Sequence, residues 1–393
     1  MLYFSSSKKI LLLAICLLGF FLALPNFWNI SLPFIPKQTI NLGLDLRGGS
    51  YLLLEVDTNS IKKDKAQSLV EDIRSSLRKD KIKYIGLRVL PDGAEVKIQN
   101  NSKITDAKNI IESLNNSTSA NIFNSRNSDE FSLDEEEGIF KVTLNENSLN
   151  EKYRLAVSQS IEIIRRRIDG LGVTEPSIQR QGNNRILLEV PGLDDPQRLK
   201  DLLGQTAKLN FRMVDTSISV GEAVRTRVPS RAEIISDSEG FEYLVMKKVL
   251  VSGERLVDAQ ASFDATTNSP VVNFRFDTVG GKYFAKATSG NVGKPFAIIL
   301  DNEVISAPVI RSPILGGSGQ IEGGFSVEEA NNLAILLRAG ALPAPLEILE
   351  EKTIGPGLGE DSIQSGKLAT IVGLIGVLIF IILSYGRFSI YAN

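Results

Sequence analysis

The sequence predicts a membrane protein in which a large α+β region lies between two transmembrane helices. Three observations carry this: an apolar run near each end, basic residues flanking both runs, and alternating helix and strand periodicities in between. Ile10 to Leu24 is unbroken by charge and extends to Trp28, about 28 Å as a helix and so one bilayer core. At the other end no charge interrupts Leu368 to Gly386, and Tyr385 sits where an interfacial aromatic belongs. The first run lacks a small-residue cleavage site, so it reads as a span rather than a signal peptide. Lys8 and Lys9 precede the first span and Arg387 follows the second. The positive-inside rule therefore expects residues 1–9 and 387–393 in the cytoplasm, spans at 10–28 and 367–386, and everything between them across the membrane.

Composition removes most enzyme classes. The 393 residues include no histidine, which excludes a Ser-His-Asp triad and a zinc-binding H-E-x-x-H helix. A single cysteine, Cys16, permits neither an internal disulfide nor a thiolate cage; beside Ile15 within the apolar run it reads as packing. The net charge of −2 gives no reason to expect nucleic acid as a partner. No cofactor is expected.

Between the spans the elements follow in order. Ala66, Leu69, Val70, Ile73 and Leu77 mark a helix, followed by alternation at Ile85, Leu87 and Val89, a Pro91-Asp92-Gly93 turn, and alternation at Ala94, Val96 and Ile98. A second helix follows, capped at Thr105 or Asp106, with Ala107, Ile110, Ile111 and Leu114 buried. The order then recurs. Val157, Ile161, Ile164 and Ile168 mark a helix, a hairpin turns near Gly182, Ile186 to Val190 is a strand, and Asp195-Pro196 opens a helix burying Leu199, Leu202 and Leu203. With flanking strands at Tyr51 to Val56 and Lys208 to Met213, residues 38–215 are expected to hold two β-α-β-β-α-β, or ferredoxin-like, repeats forming a base; a generic α+β sheet without duplication is the alternative. Asn115 to Gly138, rich in Asn, Ser and acids, is expected to be a solvated loop. Residues 216–324 read as an inserted strand-rich subdomain, with strands at Val271 to Phe276 and Pro295 to Val304 around a helix at Val279 to Ser289. Residues 325–352 return to the base and 353–366 form a Gly-rich linker.

The glycine and charge clusters match no established ligand loop. Gly290 to Pro295 has the wrong spacing for a phosphate-binding loop, and Gly355 to Gly359 runs into Glu360-Asp361, which repels phosphate. Asp134 to Glu137 lacks the alternating carboxylates of a calcium loop. The Arg165-Arg166-Arg167 run reads as a solvated helix face, since successive residues turn about 100° apart. Asp169, before Gly170, stands where the helix dipole disfavours a carboxylate, so a pair with Arg165 or Arg166 is expected.

The segment Asn41-Leu42-Gly43-Leu44-Asp45-Leu46-Arg47-Gly48-Gly49, running into Tyr51 to Asp57, resembles the signature that follows the first span in the SecD family of bacterial protein-export subunits. Ile163 to Pro176 (IIRRRIDGLGVTEP), Pro191-Gly192-Leu193, Val304 to Val309, Leu336 to Leu346 and Ile354 to Gly359 extend the resemblance across almost the whole chain in family order. It implies an inner-membrane protein with a periplasmic base and mobile head. The partners implied are SecF, the SecYEG channel, YajC and YidC, with unfolded exported polypeptide and membrane lipid as further contacts and proton-motive force as the drive. Asp45, Arg47, Gly48, Gly49, Arg167, Asp169, Gly170, Gly355 and Gly357 are its signature positions in this chain. Asp45 and Arg47, two apart on a strand, share a face and are expected to pair; Gly48 and Gly49 are expected at a bulge or close approach. Phe274, Phe276 and Phe296, on the densest apolar strands of the head, are the candidate contacts for the exported chain. The family continues through further spans, one bearing an aspartate tied to proton movement, so the sequence is expected to be its N-terminal portion. A resistance-nodulation-division small-molecule exporter and a membrane-anchored periplasmic enzyme are the alternatives; the first would need a complete span bundle and the second a nucleophile or metal set.

Overall fold

A computed structural model describes residues 10, 11, 14, 15, 48–117, 129–173, 176–193, 195–354 and 356–385. Most of the first apolar run, the Asp45–Arg47 part of the signature, and Gly355 lie outside the described residues. The chain forms two compact units, residues 50–353 and residues 1–49 with 354–393. In the latter, one helix, Pro356–Tyr385, contains a stretch at Gln364–Ser384 long and apolar enough to cross a membrane, with mean hydropathy 2.5 and no residue buried.

Among the described residues the larger unit holds three large hydrophobic cores and two smaller clusters, around Val245 and around Leu244. It opens with β1 (Gly49–Val56) and α1 (Thr58–Lys79). Asp57 caps α1 by accepting from the N–H groups of Asn59 and Ser60 at 2.9 and 3.2 Å. The five apolar positions expected of this helix are its buried face. β2 (Tyr84–Leu90), β3 (Gly93–Ile98), α2 (Ile104–Ser117), β4 (Phe131–Glu136) and β5 (Ile139–Leu144) follow. Their sheet, in the order β2-β3-β5-β4, closes its own core around Ile73, Val96, Ile111, Phe140 and Val142.

Two sequence expectations change here. The segment expected as a solvated loop contains β4, an edge strand whose Asp134, Glu135 and Glu136 occupy rungs opposite Lys141, Phe140 and Ile139. Carboxylates on an edge oppose pairing with another strand, which is a use for the acidic run that composition alone does not reveal. In addition, β1 does not join this sheet, so the first expected repeat lacks its opening strand.

β1 instead lies between the last strand and a later hairpin. After α3 (Glu146–Gly170) come β6 (Ser177–Gln181), β7 (Arg185–Pro191) and α4 (Pro196–Gly204). Asp195 caps α4 with Pro196 at the first turn, as the sequence predicts. The sheet order is β16-β1-β7-β6, where β16 is Leu346–Ile354. Asp57 N–H donates to Pro345 C=O at 3.0 Å.

The strand expected to close the second repeat, β8 (Leu209–Val214), also belongs elsewhere. It is the middle of a sheet ordered β14-β13-β8-β10-β9, with β9 at Ala232–Ser236, β10 at Glu242–Ser252, β13 at Phe296–Leu300 and β14 at Glu303–Ser306. Between β8 and β9 lies the short α5 (Val220–Arg225). A bridge between Asp237 and Val304 links the sheet's outer strands. The expected strand from Pro295 to Val304 is a hairpin, broken at Asp301 and Asn302 with φ of 48° and 71°; short polar side chains tolerate that left-handed turn. A second sheet, β11 (Leu256–Phe263), β12 (Pro270–Phe276) and β15 (Ser318–Ile321), packs with α6 (Thr278–Ser289) and α7 (Val327–Ala339) around the head core.

Gly93 supplies the sharpest steric test. A Cβ there would lie 1.9 Å from the carbonyl oxygen of Val142, a backbone atom of the neighbouring strand that cannot yield cheaply. Gly93→Ala should destabilise the β2-β3-β5-β4 sheet by about 3 kcal/mol, read as lost amide protection at Val96 and Val142; protection at the wild-type level would show the strands separating more easily than the geometry implies.

Candidate functional site: the joint between head and base

No cluster of three or more metal-ligating side chains occurs among the described residues. What stands out is mechanical: a set of buried polar contacts where the base core meets the head core. Four elements converge there. α3 and α4 come from the base, the segment Gln205–Lys208 leads into β8, and α7 ends at Gly340.

Arg167 is the centre. It is fully buried, the largest such side chain in the described structure. Its Nη1 donates to the carbonyls of Leu202 and Gln205, both at 2.6 Å, and Nη2 to those of Thr206 and Gly340 at 3.3 and 3.4 Å. One planar fork thus holds the end of α4, the strand entering the head, and the end of α7. Burial lowers its pKa to about 10, the carboxylate of Asp301 acting the other way, so the guanidinium is charged at neutral pH. The expectation of a solvated arginine face is corrected here: Arg165 and Arg166 are exposed, while Arg167 follows Ile164 by one turn and falls on the buried stripe with Ile163, Ile164 and Ile168.

Asp301 grips the same segment from the head side. Its carboxylate accepts from the Thr206 hydroxyl and, at 2.8 Å each, from the N–H groups of Ala207 and Lys208. Residues 205–208 are therefore clamped between a base cation and a head anion. Ala207 takes a left-handed φ of 60° inside this clamp. Arg198 of α4 reaches Asn332 of α7 at 2.9 and 3.1 Å, and Arg338 of α7 donates to the Ala259 carbonyl on β11 at 2.7 and 3.1 Å.

Apolar packing completes the joint. From Leu333 onward α7 is buried almost all round: Leu333, Ala334, Leu336 and Leu337 belong to the head core, while Ala339 joins Leu342 and Ala344 in the base core. Such a helix is an internal spine. Ser326 and Glu329 close its N-terminus with a capping box. Gly170 lets α3 approach it, because a Cβ would meet Ile335 Cγ2 at 2.9 Å. Beside these contacts a cleft of about 660 Å³ opens, lined by Glu162 and Arg166 of α3 on one side and by Lys208, Glu254, Arg338 and Gly340 on the other.

The other sequence candidates scatter. Gly48 and Gly49 have φ of 69° and 134°, the region open to glycine. Asp169 is exposed, and no ion pair joins it to Arg165 or Arg166 among the described residues; its carbonyl accepts from Gly172 N–H. Gly357 lies in the Pro356–Tyr385 helix. Phe274, Phe276 and Phe296, expected as contacts for an exported chain, are instead 4, 5 and 7% exposed. They pack on Phe211 and Phe284 with ring centroids 5.2–6.2 Å apart. The densest apolar strands are the core because burying them is what folds the head. Sequence reasoning missed Thr206 and Asp301, and Arg338 entered only within the Leu336-to-Leu346 match. Gly340 was legible only as part of the LLRAGALPAPL match, since the partners of a joint come from distant parts of the chain.

Comparison with known proteins agrees along the whole chain. Family models match for the SecD/SecF GG motif at residues 34–60, the N-terminal part of the P1 domain of protein translocase subunit SecDF at 157–216, and the P1 head subdomain of SecDF at 227–344. SecD of Rickettsia bellii is 43% identical over 386 residues, 98% of this chain and 72% of that protein. SecD of Acetobacter pasteurianus is 44% identical over 395 residues, all of this chain and 74% of that protein. A crystal structure of SecDF in a super-membrane-facing form aligns with 95% of this chain and 39% of its own at 29% identity, with a TM-score of 0.49. On the strength of the two SecD proteins, the chain belongs to the SecD family of protein translocase subunits, transport components of Sec protein export.

Proposed function

We propose that this chain is the substrate-handling arm of the Sec machinery, held in the inner membrane by spans at 10–28 and 367–386 with residues 38–352 in the periplasm. It works with SecF and the SecYEG channel, and proton-motive force drives its head against its base to help draw an unfolded polypeptide outward. The base is read as one ferredoxin-like unit, β1-α3-β6-β7-α4-β16, whose sheet order β16-β1-β7-β6 matches that arrangement. Two insertions interrupt it: the α1-to-β5 sheet after β1, and the head after α4.

The observation that carries the reading is the joint. Arg167 and Asp301 fix one strand entry between two separate cores, beside a cleft whose two walls carry charge. A compact polar clamp next to open volume is how a stiff body is hung on another. Cysteines replacing Arg166 and Glu254, on opposite walls of that cleft, in a Cys16→Ala background and joined by a reducible bis-maleimide, should stop export by the complete translocase in membrane vesicles. Reduction of the linker should restore it. Undiminished export with the linkage fully formed would overturn the moving-head reading.

A further inference from the structure

The exposed face of α6 and the loops at its end show a pattern that the joint does not use. Val279, Lys282, Tyr283 and Lys286 are exposed and recur at the three- and four-residue spacing of one helix stripe. The opposite stripe, Gly280, Phe284 and Thr288, is buried in the head. Two loops prolong the exposed stripe. Asn291 donates to the Ala287 carbonyl at 2.9 Å, and Ile314 N–H to the Thr288 hydroxyl at 3.0 Å. Gly293 N–H donates to the Ile310 carbonyl at 2.8 Å, and Ile310 N–H to the Lys294 carbonyl at 3.0 Å. These bonds set Lys294 and Arg311 beside the end of the helix.

The chemistry of this surface is one-sided. Thr278–Ser289 and the loops at 290–295 and 307–317 contain no acid. Lys282, Lys286, Lys294 and Arg311 take part in none of the ion pairs among the described residues. Between them stand exposed apolar groups: Tyr283 at 55%, Val292, Val309, and Leu315 at 75%. The surface also lies at the end of β13 away from the joint, since Phe296 pairs with Met213 while Leu300 pairs with Leu209 beside the Asp301 clamp.

We propose that this basic, apolar stripe docks on an anionic lipid surface. Four unpaired cations match a layer of phosphate headgroups, and Tyr283, Val292 and Leu315 match the boundary between headgroup and acyl chain. Lysine suits this role because its stem lies along apolar matter while the ammonium stays in the polar layer. An extended polypeptide is the less favoured occupant. It would want a groove or an open strand edge, whereas none of these stripe residues lines the cleft at the joint or the depression along β11, β12 and β15. The inference concerns a contact of the head with lipid and stands apart from the proposed handling of an exported chain.

The test uses the full chain reconstituted in vesicles, with Trp28→Phe removing the native tryptophan and Tyr283→Trp reporting from the stripe. In vesicles of brominated phosphatidylglycerol, fluorescence of the introduced indole should be quenched and blue-shifted; in brominated phosphatidylcholine it should not. Reversing the cations with Lys282→Glu, Lys286→Glu, Lys294→Glu and Arg311→Glu should cut the quenching about tenfold. Far-ultraviolet dichroism matching the parent confirms that the variant folds. Equal quenching in both lipids, no quenching in either, or quenching indifferent to charge reversal would overturn the proposal. So would protection of the same indole from aqueous iodide by an acidic unfolded peptide in the absence of anionic lipid, since that outcome assigns the stripe to polypeptide.

Discussion

Replacing Arg167 with methionine should split the unfolding of the α/β region into separable transitions, the head melting apart from the base. The guanidinium is the shared donor for carbonyls on α4, on the entry to β8 and after α7, so its loss strands one buried and three partly buried acceptors at the place where the cores meet. Bonds to a charged donor contribute about 1.5–3 kcal/mol each and do not add; a loss of about 3–5 kcal/mol is therefore expected. Arg167→Lys keeps the charge but not the fork, and should recover part of the coupling. Arg165→Ala, on the exposed side of the same helix, should stay within about 0.5 kcal/mol of the parent. Scanning calorimetry with hydrogen exchange at Leu188 in the base and Val272 in the head reads all three. A single cooperative transition for Arg167→Met at the parent's temperature would remove Arg167 from the joint.

Phe211→Ala should be as damaging but confined to the head. Phe211 is fully buried and contacts Phe274 and Phe276 at 5.4 Å, Phe284 at 5.7 Å and Phe296 at 6.2 Å between centroids. Truncation at such a hub removes the transfer energy of the ring and leaves a cavity, together about 3–5 kcal/mol. Amides of Val272 and Ile298 should exchange several hundredfold faster, while Leu54 and Leu188 keep parental rates. Equal acceleration at Leu54 and Leu188 would mean that these rings are not a core of the head alone. The core assignment predicts no such effect.

The helices were legible because period and cap coincide. Ala66, Leu69, Val70, Ile73 and Leu77 form a stripe that nothing but a helix buries, and Asp195-Pro196 is a start signal with a mechanism. Strand partners were not legible. Alternation at Tyr51 to Val56 and at Lys208 to Met213 shows that each is a strand, yet nothing in either sequence says that β1 sits against β16 or that β8 pairs with β13. Arg167 is the instructive residue. The triple arginine suggested solvent, but the spacing that places Ile164 and Ile168 inward places Arg167 with them. Reading each arginine against the stripe, rather than the run as a unit, would have found the joint. Asp301 carried no comparable signal, because its partners at 206–208 become neighbours only when the head sheet forms.

The placement of β1 beside β16 has a consequence for how the protein is made. The first and last strands of the larger unit share one sheet, and Asp57 bonds to Pro345 across nearly its entire length. Contacts so distant in sequence carry a large loop-closure cost and form late. During synthesis, the α1-to-β5 sheet and the head each have the strands of their own cores before Leu346 is added, whereas β1 waits with an open edge. An emerging chain therefore passes through a stage in which two finished bodies flank an unfinished third, with β1 open to mispairing. Pulse-labelled chains halted just before Leu346 should be protease-resistant at Phe140 and Phe211 and cut near Leu54, so the base is the last of the three bodies to close.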